Sequence, residues 1–154
     1  MGKDQPAPPP NAAQRVEEMT AALRAAGHRI TPQRLAILRV LASSPDHPSV
    51  ERIYEQVAAD FPTTSLATVY KTLTMLKGLN QVLELGFAHW SSRYDGLKPH
   101  PHAHAICLGC GAIVDPDIGP LDGLARRMAE KSGYSITRHQ LDFFGLCPDC
   151  QKKV

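Results

Sequence analysis

Hydrophobic positions in the first half of the chain recur at helical spacing and predict four helices in series. Thr31, Ser49 and Ser65 stand where N-terminal caps of the last three helices are expected, and Pro32 suits a first helical position. The predicted inward positions, from the first helix to the fourth, are Val16, Met19, Leu23 and Ala26, then Leu35, Leu38 and Leu41, then Val50, Ile53 and Val57, and finally Leu66, Val69, Leu73 and Leu76. The segment QVLELGFAHWSSRYD predicts two short strands with a turn near Gly86. Helices followed by a hairpin are typical of a winged-helix domain.

The fourth predicted helix also has a face of small, hydroxylated, basic and aromatic residues. They are Ala67, Thr68, Tyr70, Lys71 and Thr74. Small side chains permit close approach to DNA, while threonine, tyrosine and lysine reach phosphates and base edges. An ordinary exposed helix can have such a face, but its place at the end of a series of short helices favours a helix-turn-helix. The acid-free stretch from Arg24 to Arg39 is equally typical of a phosphate-binding surface and of a solvated helix face.

The second half of the chain predicts a small unit of strands and one helix. AHAIC and GAIVD are typical of short strands, and YSITRHQLDFFGLC of a further strand region. PLDGLARRMAEKSG predicts a helix with Leu121, Leu124 and Met128 on one side. A unit of about 60 residues is marginal for an independent core and usually needs a metal or a partner subunit. The predicted fold class is therefore α+β.

Four cysteines form two C-x-x-C pairs, Cys107 with Cys110 and Cys147 with Cys150. Two intervening residues allow both thiolates of a pair to reach one ion, and four thiolates close a tetrahedral shell around Zn²⁺ with no position for substrate. A thioredoxin-like redox pair is the rival, but it lacks the flanking strand and helix, and one of the two pairs would have no role. We therefore predict a structural zinc site that stabilises the second unit.

Three histidines alternate just before the first cysteine pair, at His100, His102 and His104, and Asp115 follows that pair. Side chains at alternate positions of an extended segment share one face. Imidazole and carboxylate are harder ligands than thiolate and suit Fe²⁺, Mn²⁺ or Zn²⁺ with room for exchange. A single histidine in a polar loop is usually not a ligand, but three at this spacing beside a metal knuckle favour a second metal site.

Composition narrows the class of protein further. The chain has 154 residues, of which 43% are hydrophobic and 21% charged, with a net charge of +2, as is typical of a soluble globular protein. No apolar run approaches the length of a transmembrane helix, and MGKDQPAPPPNAAQ lacks the apolar core of a secretory signal. We expect a cytoplasmic protein, in which cysteines are more often metal ligands than disulfides.

Several segments together resemble the ferric uptake regulator (Fur) family. They are HRITPQRLAIL, DHPSVERIY, SLATVYKTLTML, SSRYD, HAHAICLGCGAIVD and CPDC, and the similarity extends over about residues 15–151. The resemblance implies a homodimeric, metal-dependent transcription regulator, usually a repressor, with an N-terminal winged-helix DNA-binding domain and a small C-terminal α/β dimerisation domain. The expected boundaries are a disordered lead over residues 1–14, the winged helix over 15–88, a hinge over 89–99, and the dimerisation and metal-binding domain over 100–154.

The resemblance also implies ligands and DNA contacts. Structural zinc is expected on the four cysteines, and the regulatory Fe²⁺ or Mn²⁺ on a mixed set: His47, Asp95, His102, His104 and Asp115. Residues expected to meet a double-stranded DNA operator are Arg34, Thr68, Tyr70 and Lys71. An ion that binds all five regulatory ligands in only one arrangement of the domains stabilises that arrangement by its differential affinity.

The branch of the family is indicated by fewer residues. Asp115 stands where many members carry Glu and resembles the peroxide-sensing (PerR) branch, as do the string HAIC and the terminal QKK. In that branch Fe²⁺ reacts with H₂O₂ and a ligand histidine is oxidised, which weakens metal binding and releases DNA. His47 and His102 are the expected oxidation-sensitive residues. The alternative is a reversible iron, manganese or zinc uptake regulator of the same family, without peroxide sensing.

Three features depart from the family pattern. One extra residue lies between Asp95 and HAH, within a loop that Pro99 and Pro101 stiffen, and LKGLNQV replaces the usual Gly-Leu-Val before the wing. Some members have an accessory metal site with an acidic residue between two histidines, where this chain has Ala103. His100 and His139 could supply part of such a site, which we expect to be absent or weak.

Two rival classes of protein compete with the regulator. A metal hydrolase would need an open metal position, a base and a cleft, and the chain has neither His-Glu-x-x-His nor a nucleophile motif. A zinc-ribbon interaction module would keep its DNA affinity, at saturated zinc, when His102 or Asp115 is mutated. We predict a DNA-binding regulator that is not an enzyme, with no membrane and no small organic substrate as partner.

Overall fold

The computed structural model describes residues 11–87 and 90–154. The chain divides after His100 into an N-terminal unit and a C-terminal unit, the latter comprising Pro101–Val154. Of the predicted disordered lead, residues 1–10 lie outside the described residues, whereas residues 12–14 already belong to a helix. No helix within the described residues is long and apolar enough to cross a bilayer.

The N-terminal unit begins with four helices: α1 Ala12–Ala25, α2 Pro32–Ser43, α3 Val50–Asp60 and α4 Leu66–Gly78. All three predicted caps are confirmed, because the side-chain oxygens of Thr31, Ser49 and Ser65 accept hydrogen bonds from amides in the first turns of α2, α3 and α4. Pro32 occupies the first position of α2, where its missing N–H has no cost. These local signals therefore set where each helix begins.

One hydrophobic core joins the four helices, and most of the predicted inward positions lie in it. Met19, Leu23, Leu38, Leu41, Val50, Ile53, Val57, Val69, Leu73 and Leu76 are buried. The prediction was wrong for Leu66, which is 40% exposed because it starts α4 beyond the packed part of the helix, and for Ala26, which is exposed just after α1. Val16 and Leu35 are half-buried, and Ile37 is fully buried on α2. Thr72 is also fully buried, and its hydroxyl is satisfied there because it donates to the Thr68 carbonyl at 2.8 Å.

The predicted wing strands are confirmed as β1 Leu83–Leu85 and β2 Arg93–Asp95, which pair antiparallel. The predicted turn near Gly86 lies in the connection between them, of which residues 88 and 89 lie outside the described residues. Glu84 fastens this hairpin to α4 by an ion pair with Lys77 and accepts a hydrogen bond from the Tyr94 hydroxyl at 3.2 Å. The Lys77 hydrogen bond lowers the pKa of Glu84, and burial raises the pKa of Tyr94.

The C-terminal unit contains β3 Ala103–Cys107, β4 Ile113–Val114, α5 Asp122–Ser132, β5 Leu141–Gly145 and α6 Pro148–Gln151. Its sheet has the order β4-β3-β5, with β4 antiparallel and β5 parallel to β3. The parallel pair requires a crossover, which α5 supplies. Gly133 ends α5 in the left-handed conformation, at φ 73°.

The apolar side predicted for α5 is not covered within the unit. Leu124 is 43% exposed and Met128 57% exposed, and α5 has no buried residue. The helical pattern identified an apolar face correctly, but the pattern does not say which chain covers it. The predicted strand region after α5 is also shorter than expected, since only residues 141–145 form a strand.

Arg15 is buried in the N-terminal unit, at 3% exposure, although the sequence assigned it no role. Its Nε donates to the Gly96 carbonyl at 2.9 Å, and Nη2 donates to the Gln81 carbonyl at 3.0 Å. Its Nη1 also pairs with Glu18 on the same helix. One guanidinium therefore connects α1 to the segments that follow α4 and β2.

We expect Arg15→Met to lower the free energy of unfolding by about 3 kcal/mol, because two buried carbonyls lose a charged donor while the side-chain volume is kept. Urea unfolding followed by far-UV circular dichroism measures the loss. Arg24→Met, at an exposed position on the same helix, is the matched control and should change stability by less than about 0.5 kcal/mol. Equal unfolding midpoints for the two variants would contradict the connecting role of Arg15.

Candidate metal centres and nucleic-acid interface

The four cysteines of the C-terminal unit lie together, and their Sγ atoms are all within 4.8 Å of one another. None of them forms a disulfide. The Sγ atoms of Cys110 and Cys147 are 3.8 Å apart. A Zn–S bond of about 2.3 Å gives a tetrahedron with edges of about 3.8 Å, so this separation matches two corners of a zinc–thiolate shell. The cluster fits zinc.

The elements around these cysteines orient their sulfurs. Cys107 ends β3, and its Sγ accepts hydrogen bonds from the amides of Gly109 at 3.3 Å and Cys147 at 3.2 Å. Gly111 closes the turn of the first knuckle at φ 74°. Gly109 is needed for a different reason, because a Cβ there would lie 2.9 Å from the Cys150 sulfur.

The surroundings of two of these cysteines shift their pKa values in opposite directions. Hydrogen bonds from the backbone of Cys147 and Cys110 lower the pKa of Cys107 to about 6. Side-chain hydrogen bonds with Cys147 and Cys107 raise the pKa of Cys150 to about 12. One thiol is thus easily ionised, while the crowding of sulfurs opposes ionisation of another. A divalent ion removes this opposition by binding all the sulfurs as thiolates.

A harder set of donors occurs in the same unit. The Nε2 atom of His102 is 3.3 Å from one Asp115 carboxylate oxygen, and Nε2 of His104 is 3.6 Å from the other. The two imidazole rings have centroids 4.3 Å apart. The sequence predicted that these three residues belong to one site, and the structure brings them together.

Sequence reasoning missed Asp142 as a partner of this set. His104 lies directly opposite Asp142 in the parallel pairing of β3 with β5, and its Nδ1 is 3.2 Å from the Asp142 carboxylate. A carboxylate on one ring nitrogen fixes the tautomer and orients the other nitrogen toward a ligand. The local sequence has no signal for this contact, because strand register depends on the whole unit.

His47 and Asp95 form a buried pair within the N-terminal unit, with His47 Nε2 3.1 Å from an Asp95 carboxylate oxygen. The other Asp95 oxygen accepts the amides of Leu97 and Lys98, both at 2.9 Å. Gly96 must be glycine, since a Cβ there would lie 2.7 Å from the Leu41 Cβ. The Asp95 carboxylate is therefore fixed by the backbone that follows it.

The loop between α2 and α3 that contains His47, here called the His47 loop, has a strained backbone, with His47 at φ 54°. Arg93 on the adjacent strand holds this loop, since its guanidinium donates to the His47 carbonyl and, at 2.6 Å, to the Asp46 carbonyl. Tyr94 adds a hydrogen bond from its amide to the Pro48 carbonyl at 3.0 Å. No local sequence pattern assigns Arg93 a role, because the two carbonyl groups that accept its hydrogen bonds lie far away along the chain.

The two histidines of the predicted accessory site occupy other places. His100 is exposed, and His139 is half-buried in the segment between α5 and β5. Among the described residues, the clusters of three or more metal-binding side chains include neither histidine. The expectation that such an accessory site is absent or weak in this chain stays a prediction.

The residues predicted to meet DNA lie at the N-terminal ends of α2 and α4. Tyr70 is 46% exposed on α4, and Lys71 beside it is exposed. Arg34, Thr68 and Lys71 line one cleft of about 550 Å³. The core-facing side of α4 is buried while this side faces solvent, as recognition by a helix requires.

Comparison with known proteins agrees with this architecture. The chain is 43% identical over 141 residues to the peroxide-responsive repressor PerR of Staphylococcus aureus strain USA300, covering 90% of this chain and 93% of the relative. The Helicobacter pylori ferric uptake regulator Fur, described as having three functional metal-binding sites, superposes with a TM-score of 0.74 at 26% identity, covering 91% and 93% of the two chains. PerR of Streptococcus pyogenes, studied for peroxide sensing and gene regulation, gives a TM-score of 0.50 at 36% identity, covering 88% and 92%.

The two-domain fold of these neighbours is the fold described above, with N-terminal helices and a small C-terminal sheet. The model of the ferric uptake regulator family matches residues 25–144, which is most of the sequence. The chain therefore belongs to the ferric uptake regulator family.

Proposed function

We propose that this protein is a metal-dependent DNA-binding repressor that senses peroxide. The observation that carries the proposal is the pairing of His102 and His104 with Asp115, a set of hard donors separate from the four cysteines. Thiolates alone would account for a structural ion, so the second donor set calls for a second role. The 43% identity to a peroxide-responsive repressor supports peroxide as the signal.

The proposed regulatory site combines two donor sets that are each paired within their own unit. His47 and Asp95 supply one set, and His102, His104 and Asp115 supply the other. The chemistry of these donors fits Fe²⁺ or Mn²⁺, and when Fe²⁺ is bound it supplies the electrons that activate H₂O₂. His47 and His102 are the proposed targets of oxidation.

Oxidation is proposed to end repression by changing a ligand. One oxygen of H₂O₂ is added to a ring carbon of His47 or His102, and the other leaves as water. The modified ring is a poorer ligand, so the arrangement that metal binding favoured loses its stabilisation. Because the protein is modified rather than restored, it acts as a sensor and not as an enzyme.

The partners proposed are a double-stranded operator, met by Arg34, Thr68, Tyr70 and Lys71, and a second copy of the chain. A dimer suits the C-terminal unit, because its exposed apolar side chains include Leu124, Met128 and Phe143, which is 55% exposed on β5. Two copies would present two recognition helices to two half-sites of one duplex. We propose a cytoplasmic location.

A second candidate function is reversible iron, manganese or zinc sensing without histidine oxidation. Metal uptake regulators are also among the structural neighbours, as the Helicobacter pylori ferric uptake regulator shows with its TM-score of 0.74 at 26% identity, and this likeness keeps the second candidate in view. The candidates differ in one property only, which is whether a ligand histidine gains oxygen.

Treatment of the anaerobically Fe²⁺-loaded protein with a small excess of H₂O₂ should add one oxygen to the peptides that contain His47 or His102. Peptide mass spectrometry measures the addition, and the His28 peptide serves as an internal control because His28 lies outside both donor sets. A Mn²⁺-loaded sample should stay unmodified. Unmodified His47 and His102 in a sample that still holds iron would reject peroxide sensing and leave the reversible sensor.

Gly109→Ala should weaken zinc retention at least tenfold, because the new Cβ would lie 2.9 Å from the Cys150 sulfur and displace it. Zinc release to a chromogenic chelator measures the effect. Gly145→Ala is the matched control, since nothing lies within 4 Å of a Cβ at that position. Equal rates of zinc release from Gly109→Ala and Gly145→Ala would show that the close approach of Gly109 to the Cys150 sulfur does not constrain the site.

Arg93→Met should weaken Mn²⁺ binding about tenfold, because the strained His47 loop loses both of its guanidinium hydrogen bonds. Titration of zinc-replete protein, with free Mn²⁺ followed by electron paramagnetic resonance, gives the affinity. The control is Arg52→Met, which removes only a half-exposed ion pair with Asp46 and should change the affinity less than about twofold. An unchanged Mn²⁺ affinity in Arg93→Met would show that the loop needs no such support.

A further inference from the structure

We infer that Asp142 is a positioning residue of the proposed regulatory site, which holds the His104 ring so that Nε2, and not Nδ1, is the nitrogen that binds the ion. The inference rests on the proposed function, because it assumes that His104 binds a regulatory metal. It deepens that function by adding a residue that lies outside the ligand set predicted from the sequence.

Strand register brings Asp142 and His104 together on one face of the sheet. The two residues lie directly opposite each other in the parallel pairing of β3 with β5, and the Asp142 carboxylate is 3.2 Å from Nδ1 of His104. An ionised carboxylate only accepts hydrogen bonds, so the ring carries a proton on Nδ1. Nε2 is then the ring nitrogen whose lone pair can bind an ion.

Both oxygens of the Asp142 carboxylate are engaged. One faces His104, and the other accepts a hydrogen bond from the Gln140 side-chain amide. Gln140 precedes Asp142 by two residues, and side chains at this spacing in an extended segment share one face. The side chains of His104 and Asp142 are only 1% and 12% exposed. The carboxylate is therefore fixed in orientation, and so is the ring that donates to it.

The opposite side of the His104 ring faces the proposed donor set. Its Nε2 is 3.6 Å from one Asp115 oxygen, and Nε2 of His102 is 3.3 Å from the other. Asp142 belongs to neither cluster of metal-binding side chains found among the described residues. His104 thus lies between two carboxylates, of which Asp115 is on the donor side and Asp142 is behind the ring. A carboxylate behind a histidine ligand fixes the ring and makes the imidazole a stronger donor.

The local structure alone does not account for a carboxylate at position 142. Aspartate is depleted in strands, and here it stands between Leu141 and Phe143 within β5. A neutral side chain could accept the hydrogen bond from His104 without the cost of largely burying a charge. A residue that goes against a local preference indicates a role in a functional site.

Titration of the zinc-replete protein with Mn²⁺, with the free ion followed by electron paramagnetic resonance, tests the inference. Asp142→Leu removes the acceptor at similar volume and should weaken Mn²⁺ binding about tenfold or more. Asp142→Asn keeps an acceptor oxygen in the same place and should restore most of the affinity. Asp149→Asn is the matched control, because Asp149 is a carboxylate of the same unit that is 87% exposed, and it should bind Mn²⁺ like the wild type.

NMR of ¹⁵N-labelled histidine gives a readout that a purely structural role of Asp142 would not change. Excess Zn²⁺ serves as the diamagnetic probe in place of Mn²⁺, and His104→Gln identifies the signals of the ring. His104 should show a slowly exchanging Nδ1–H proton in the wild type and in Asp142→Asn. In Asp142→Leu this proton should move upfield and exchange faster, because its hydrogen bond is lost.

Equal Mn²⁺ affinities of Asp142→Leu and Asp149→Asn would overturn the inference while the regulatory site stands. Equal losses in Asp142→Leu and Asp142→Asn would also overturn it, since the charge of Asp142 and not its hydrogen bond would then matter. A wild type that binds no Mn²⁺ would reject the proposed function, and the inference with it. If Asp142→Leu does not retain its zinc, the wild-type spectrum decides, because a proton on Nε2 of His104 in the ion-loaded protein would show that Asp142 does not select the binding nitrogen.

Discussion

Parallel pairing of β3 with β5 is the constraint on which the C-terminal unit depends. The register places Cys107 opposite Gly145, and the chain after Gly145 then brings the second cysteine pair to the first. The same register places His104 opposite Asp142, which orients the imidazole. A shift by one residue would turn each side chain to the other face of the sheet and separate both donor sets at once. The four thiolates, once they hold an ion, lock the end of β3 to the chain after β5 and so preserve this register.

The N-terminal unit holds the His47–Asp95 pair by different means, because its two-stranded hairpin is too small to be rigid alone. The helical core supports β2 through Arg15 and through the close contact of Gly96 with α2. Arg93, within β2, then holds the strained His47 loop. The helical core supports β2, and β2 in turn supports the loop that contains His47. Contacts remote from His47 therefore offset the free-energy cost of its left-handed backbone.

How well the sequence predicts a contact depends on how far apart along the chain the two residues lie. Thr31, Ser49 and Ser65 were identified as caps because a cap depends on residues two or three positions away. The inward position of Leu66 was predicted wrongly, because helical spacing does not show where neighbouring elements stop. Asp142, Arg15 and Arg93 could not have been found, since each contacts residues far away in the sequence through a register or loop path that only the folded chain defines. The partner of the exposed apolar face of α5 could not be predicted either, because an amphipathic pattern does not identify the chain that covers the face.

The two classes of donor in the C-terminal unit, thiolates on one side and imidazoles with a carboxylate on the other, suit different metal-binding roles. Four thiolates bind zinc firmly and leave no free position, so that site suits an ion that stays. Imidazole and carboxylate bind divalent ions less selectively and allow exchange, which a sensor of metal or peroxide needs. Had the histidines and Asp115 been cysteines, peroxide could oxidise the ligands without iron, and the response would no longer report both signals. In the function proposed above, the hard donor set would make the response to peroxide depend on which metal is bound, while the thiolate site would keep the strands in place.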